Sequence, residues 1–143
     1  AREAYFVDFA KAMREKLSIP IMVTGGLRRR NVMEHVLETG GADVIGRGRP
    51  LCVETNGPNE LLKGADELGR YENSLSLLPS WLMWLTRFNT VRTINSFATQ
   101  FWFYEQIANI GRSGSANETL SVFSATMAQQ KAASAWLKKR KGE

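Results

Sequence analysis

Apolar residues follow two different periodicities in the first half of the chain. Residues 4–17 and 29–39 place them at steps of three and four, which predicts two amphipathic helices. Residues 19–23 form a short apolar run without polar alternation, and residues 42–45 are predicted to be a second short strand. The first pattern is typical of a strand buried on both faces in a parallel sheet. The order of these patterns therefore predicts a βαβ unit preceded by one more helix.

Each predicted strand is followed by a turn that contains glycine. Gly25 and Gly26 follow the first strand, whereas Gly46 and Gly48 follow the second. Parallel neighbours lie only about 5 Å apart and end at the same edge of a sheet, so the two turns should converge. Glycine lets the backbone approach a ligand closely and turn its N–H groups toward an anion. The spacing therefore predicts a phosphate-binding pocket, although glycine at a strand end also serves simply as a turn.

Positive charge beside the turns strengthens that prediction. The helix that follows the first turn should contribute the positive end of its dipole. Arg47 or Arg49 should add a charge-assisted contact to the phosphate. The sequence has neither a GxGxxG between a first strand and its helix nor the GK[ST] of a P-loop. The expected phosphate pocket is therefore of a different kind from those two nucleotide-binding motifs.

The second half of the chain is predicted to be helical. A short helix is expected over residues 60–68, and Ser80 is expected to cap the next one. The helical pattern continues over residues 90–110. A flexible break at residues 111–115 precedes a last helix over residues 118–139.

Large aromatic and aliphatic residues are concentrated between Trp81 and Tyr104. They predict a packing surface against the rest of a domain or a partner subunit, with self-association through these aromatic helices if the surface stays exposed. They also fit a membrane-surface helix in which Arg87 and Arg92 meet lipid phosphates. The pattern leaves both interpretations open.

Composition narrows the class of protein. The 143 residues carry a net charge of +5 with a single cysteine and a single histidine, which excludes an internal disulfide and a Cys/His metal site. A reducing, cytoplasmic location is expected, and no apolar run approaches the length of a membrane span. The positive net charge indicates either a solvated basic surface or an anionic partner. Because the GRGRP run beginning at Gly46 lies in a strand-and-turn context, nucleic acid is not the expected partner.

The two turns and their spacing resemble a known family. The stretches VTGG, ending at Gly26, and ADVIGRGRPL, beginning at Ala42, are similar to the last two βα units of the old yellow enzyme family. These NADH:flavin oxidoreductases are FMN-binding (β/α)8 barrels. The resemblance implies an α/β fold, the C-terminal portion of a TIM barrel, followed by a helical C-terminal extension. Two domains are then expected, residues 1–68 with the barrel units and residues 79–143 with the extension.

The same resemblance assigns a partial cofactor site. It implies that Gly25, Gly26, Gly48 and Arg49 contact the FMN phosphate, with Arg47 ranked second because it precedes the family's arginine by one step. NAD(P)H would be the reductant and a small molecule the electron acceptor in the intact enzyme. The family's proton donor and carbonyl-binding residues lie on strands that this sequence does not contain. The chain is therefore expected to be a fragment without catalytic residues or a metal, inactive alone.

Two alternatives stay open at the level of sequence. One is a non-catalytic, basic helical module that binds an anion or a protein partner. The other is a barrel of another phosphate-binding family, which would share the glycine turns. His35 is expected to be a surface or packing residue, Cys52 a small packing residue, and Asp43 a local turn or cap partner.

Overall fold

The computed structural model describes Ala4 and residues 6–142, which form two compact units, one up to Gly69 and one from Arg70. The predicted domain limits include residues 1–3, Tyr5 and Glu143, which lie outside the described residues. In the first unit the elements are α1 (Val7–Arg14), β1 (Met22–Thr24), α2 (Arg30–Glu38), β2 (Val44–Gly46) and α3 (Gly57–Leu62). A short 3-10 helix, Arg49–Cys52, lies between β2 and α3.

β1 and β2 form the predicted parallel pair. Met22 lies opposite Val44, Val23 opposite Ile45, and Thr24 opposite Gly46. Both strands are only three residues long; β1 begins three residues and β2 two residues later than predicted, and each ends one residue later. Ile21 already contributes its carbonyl, which accepts hydrogen bonds from the Asp43 and Val44 amides at 2.9 and 3.2 Å.

The core of the first unit lies between this strand pair and the helices beside it. Its buried members come from α1, β1, α2 and the connecting turns: Val7, Ala10, Val23, Leu27, Met33, Val36 and Ala42. The apolar stripes of α1 and α2 therefore pack as their three- and four-residue spacing predicts. α3 is shorter than the predicted 60–68 helix and begins at Gly57, directly before Pro58, a residue favoured in a first helical turn.

The prediction that the first strand is buried on both faces is wrong for this chain, and the second strand is exposed on the same side. Met22 is 63% exposed and Val44 is 49% exposed, whereas Val23 between them in the sheet is buried. An apolar groove of about 470 Å³ opens beside β1 and α1. Its lining is Phe6, Phe9, Ala10, Met13, Ile21, Met22, Val23 and Thr24. The chain thus covers one face of its sheet with helices and leaves the opposite apolar face in solvent.

The second unit consists of helices with short irregular connections. Ser80–Arg87 is a 3-10 helix, and it is followed by α4 (Asn89–Ser113) and α5 (Val122–Lys141). The cap predicted at Ser80 is wrong, because the helix is preceded by Pro79 and has no side-chain cap. The predicted break at 111–115 is also too early, since α4 continues to Ser113 and ends at Gly114, which has φ +78°.

α4 buries a mixed apolar and polar face. Ala98, Trp102 and Phe103 are buried together with Glu105 and Gln106. The Trp102 indole N–H donates to the Leu120 carbonyl at 2.7 Å. The connector after α4 therefore runs back along the helix, and polar side chains of α4 satisfy its backbone.

The apolar stripe that the sequence singles out lies on another side of α4. Ile94, Phe97, Tyr104 and Ile107 are all exposed. Trp81, Trp84 and Phe88 before the helix are exposed as well. Within the described chain these aromatic and aliphatic side chains are available to a partner rather than part of a core.

Candidate anion-binding site

The parallel register brings the two glycine turns to the same edge of the strand pair. Thr24 ends β1 directly opposite Gly46, which ends β2. Gly25 and Gly26 therefore leave the sheet beside Arg47 and Gly48. Parallel strands are spaced by about 5 Å, so one anion can contact both turns.

The first turn has a backbone conformation that requires glycine. Gly25 has φ +117° and Gly26 has φ +69°, both in the range that side chains with a Cβ rarely adopt. Both residues are half-buried. The backbone conformation therefore requires glycine at both predicted ligand positions of this turn, independently of any ligand.

The two glycines of the second turn differ in what surrounds them. A Cβ on Gly46 would collide with the side chain of Thr24, so the partner strand excludes any larger residue there. A Cβ on Gly48 would meet nothing within 4 Å. No neighbour in the described chain therefore accounts for glycine at position 48, and the space beside it is open to a ligand.

The 3-10 helix Arg49–Cys52 begins directly after Gly48. The Gly48 carbonyl accepts a hydrogen bond from the Leu51 amide at 2.9 Å and a weaker one from the Cys52 thiol at 3.7 Å. Both bonds use the carbonyl of Gly48 and leave its N–H out of this turn. Arg49 is exposed at the start of the helix, and burial raises the pKa of the Cys52 thiol, as expected for an unreactive packing residue.

Arg47 joins the two turns directly. Its guanidinium donates a hydrogen bond of 2.6 Å to the Arg28 carbonyl, two residues beyond Gly26. The contact is partly buried and spans 19 positions of sequence. Arg47 therefore holds the second turn against the first, a structural role that the sequence pattern does not predict.

The N-terminal end of α2 is already used by the chain itself. The Arg30 amide donates to the Asp66 carbonyl at 2.7 Å, and Arg29 forms an isolated antiparallel bridge with Glu67. The segment after α3 therefore lies against the first turn of α2. One amide at this helix end is therefore bound within the chain, and the contribution of the helix end to an anion pocket stays a prediction.

Asp43 supports the site from the opposite end of the strands. Its carboxylate accepts a hydrogen bond from the Ile21 amide at 2.9 Å and pairs with the Arg14 guanidinium at 2.9 Å. The side chain thus ties α1, the start of β1 and the start of β2 together. This is more than the local partner predicted from sequence, because no pattern along the chain indicates that Arg14 lies nearby. His35 is exposed on α2, as expected for a surface residue.

Two kinds of feature are missing from the part of the chain that the structure describes. No group of three or more His, Cys, Asp or Glu side chains is arranged to hold a metal ion there. Among the described helices, none has both the length and the apolar character needed to cross a bilayer.

Comparison with known proteins identifies flavin oxidoreductases as relatives. NADH-dependent flavin oxidoreductase iccE of Talaromyces variabilis is 25% identical over 114 residues, which is 79% of this chain and 28% of that protein. NADH-dependent flavin oxidoreductase iliE of Hypocrea jecorina (strain QM6a) is 42% identical over 52 residues, 36% of this chain and 13% of the relative. The protein of the same name from Neonectria sp. (strain DH2) is 43% identical over 54 residues, 37% of this chain and 7% of the relative.

The chain is therefore related to proteins named NADH-dependent flavin oxidoreductases, and it spans little more than a quarter of the first of them. No family model matches the chain. No solved structure matches it either.

Proposed function

We propose that this chain carries the FMN-phosphate-binding end of an FMN-dependent NAD(P)H oxidoreductase of the old yellow enzyme type. The observation that carries the proposal is the parallel register, which sets the Gly25–Gly26 turn beside the Arg47–Gly48 turn. The names of the relatives support a flavin and NADH as the partners of the intact protein. When bound, the flavin supplies hydride transfer from the nicotinamide to a small-molecule acceptor.

The residues present fit a phosphate group. Gly25 and Gly26 have the positive φ angles that expose backbone amides on one side of a turn, and Gly48 has open space beside its α-carbon. Arg49 is exposed next to that space. In this proposal the glycine amides bind the phosphate oxygens, Arg49 adds a charge-assisted contact, and Arg47 fixes the spacing of the turns.

The exposed sheet face supports the interpretation of this chain as a fragment of a larger barrel. Among the described residues the strand pair has no further strand at either outer edge, and Met22 and Val44 present apolar side chains to solvent. In the proposed parent these features are covered by the other strands and side chains of a (β/α)8 barrel. The relatives have the additional length that such strands need, because the matched part is a minor share of each.

The phosphate grip is tested by comparing FMN with riboflavin, which lacks the phosphate. Proton–nitrogen NMR spectra of the chain should show the amides of Gly25, Gly26 and Gly48 shifting with FMN and not with riboflavin. FMN should bind about tenfold or more tightly than riboflavin, the contribution of one charge-assisted contact. Gly48→Val should remove this preference without unfolding the chain, since the fold leaves room for its side chain.

Gly111→Ala is the control. A Cβ at Gly111 also meets nothing within 4 Å, and Gly111 belongs to α4, not to either glycine turn. Its affinity for FMN should equal that of the wild type. Equal affinity for FMN and riboflavin, or an FMN preference that survives Gly48→Val, would contradict the assigned site. Binding of inorganic phosphate at these amides without any flavin binding would favour a non-catalytic anion-binding module instead.

A further inference from the structure

The C-terminal half of α5 is a solvent-exposed segment with a strong positive charge. Every residue from 131 to 142 is exposed. Residues 131–141 form the basic helix end. It has no Asp or Glu, and its cations are Lys131, Lys138, Lys139, Arg140 and Lys141. Nothing in the described chain neutralises or covers so concentrated a charge.

The basic helix end also has an apolar side. Trp136 is 57% exposed and Leu137 is 50% exposed. Helical spacing places Ala132 one turn before Trp136 and Ala133 one turn before Leu137, so the four side chains share one face. Lys131 and Lys138, seven positions apart, lie on the opposite face.

Arg140 lies on the apolar face. It lies one turn after Trp136, and its guanidinium carbon is 5.2 Å from the centre of the Trp136 ring. A cation stacked on an indole leaves the aromatic edge and the guanidinium N–H groups available to the same surface. The basic helix end thus presents an aromatic–aliphatic stripe bordered by cations.

We propose that the basic helix end binds the surface of membranes that contain anionic phospholipids. Trp136 and Leu137 would enter the boundary between headgroups and acyl chains, where indole rings are favoured. The lysines would extend their apolar stems along the interface and place their ammonium groups among the lipid phosphates. This docking surface is independent of the glycine turns and of the proposed flavin site.

The composition of the apolar stripe favours a lipid surface over nucleic acid. A nucleic acid uses aromatic rings for stacking and cations for its phosphates. Leu137, Ala132 and Ala133 offer it neither a stacking surface nor a hydrogen bond. A bilayer interface accepts aliphatic and aromatic side chains together, and its anionic headgroups complement the cations beside the stripe, Lys139, Arg140 and Lys141.

Vesicle flotation tests the proposal with the full chain. The chain should float with vesicles of phosphatidylcholine and phosphatidylserine, remain unbound with phosphatidylcholine alone, and dissociate as salt is raised. Each cation at an anionic membrane contributes a factor of about five in affinity. Lys139 and Lys141 flank the stripe, so the triple variant Lys138→Gln, Lys139→Gln, Lys141→Gln should bind about twentyfold or more weakly. Trp136→Ser should reduce binding roughly tenfold.

A second triple variant controls for net charge. Lys11→Gln, Lys16→Gln and Lys63→Gln removes the same number of cations at exposed positions in the first unit. Its vesicle binding should stay within a few-fold of wild type. Circular dichroism should show the same helicity for all variants, because every altered side chain is exposed.

Three results would overturn the proposal. The first is an absence of flotation with anionic vesicles at low salt. The second is an equal loss of binding in the two triple variants, which would mean attraction by net charge alone. The third is tighter binding to double-stranded DNA than to vesicles through the same lysines, which would identify a nucleic-acid surface.

Discussion

Gly46 and Gly48 lie two positions apart in the second turn, but the reason for a glycine differs between the two positions. Gly46 is a glycine because the Thr24 side chain on the partner strand occupies the space of a Cβ. Gly48 has open space instead, so the proposed anion contact is the explanation we offer for it. The sequence pattern treats the two alike, since it shows only that both follow an apolar run.

Arg47 is the residue whose role changes most between sequence and structure. The family resemblance ranks it second to Arg49 as a phosphate contact, whereas in the structure its guanidinium donates a hydrogen bond to the Arg28 carbonyl. A hydrogen bond across 19 positions cannot be inferred from periodicity, because it depends on how two turns pack at a sheet edge.

Arg47→Met should weaken the connection between the turns. Losing a partly buried, charge-assisted hydrogen bond should lower the free energy of unfolding by about 1–2 kcal/mol. Hydrogen exchange at the amides of the first turn should accelerate as the turn loosens. Urea titration and NMR-detected exchange measure these two effects.

Lys11→Met is the control for Arg47→Met, because it removes an exposed cation of α1. It should leave both measurements close to wild type. Arg47→Lys should restore part of the stability, since an ammonium group also donates to a carbonyl. Exchange rates unchanged in Arg47→Met would refute the role of Arg47 in positioning the turns.

At the scale of elements, the packing of α4 depends on polar groups as much as on apolar ones. The Gln106 side chain, fully buried, donates to the Asn117 carbonyl at 2.8 Å and accepts from the Asn117 amide at 2.6 Å. Glu105 contacts Arg112 on α4 and accepts from Gln129 on α5 at 2.8 Å. These bonds fix which side of α4 the connector and α5 cover.

The Glu105 carboxylate has a folded-state pKa below its usual value. Burial alone would raise this pKa, but hydrogen bonds from Arg112 and Gln129 and the charge of Arg112 lower it further than burial raises it. Because the pKa is depressed in the folded state, Glu105 stabilises the fold above the unfolded-state pKa. That contribution is lost as pH falls through the folded-state pKa.

Glu105→Gln should therefore destabilise the chain in a pH-dependent way. At neutral pH the free energy of unfolding should fall by about 1 kcal/mol, a modest value because Arg112 is itself largely exposed. The difference from wild type should shrink as the solution becomes acidic and the wild-type carboxylate protonates. Urea titrations at neutral and acidic pH measure it, and a difference that stays constant would contradict the assigned ion pair.

At the scale of the whole molecule, apolar side chains remain exposed in both units. The first unit exposes one face of its strand pair. The second unit exposes an apolar stripe of α4, which consists of Ile94, Phe97, Tyr104 and Ile107. The chain matches only a minor part of each relative. We propose that the rest of the parent barrel covers the exposed face of the strand pair. We propose also that a second copy of the chain covers the exposed apolar side chains of α4.

Self-association should accordingly be measurable for this chain. Sedimentation should depend on concentration, and Phe97→Gln with Ile107→Gln should weaken association roughly tenfold or more. Both side chains are exposed, so the thermal midpoint of the dilute chain should not change. Phe123→Gln on α5, also exposed, is the control and should leave association unaltered. A wild-type chain that sediments as a monomer at all concentrations would refute this prediction.

The local elements and their order can be predicted from the chain alone. Apolar periodicity and glycine turns are properties of neighbouring residues, so they identify the βαβ unit, the long helices and the glycines that end each strand. Three further features depend on tertiary packing: which faces are covered, the bond from the Arg30 amide to the Asp66 carbonyl, and the distant partners of Arg47 and Asp43. Such contacts depend on where remote segments meet in space, and no local pattern records that. The same holds for α4, where satisfied hydrogen bonds bury Gln106 while Phe97 stays exposed.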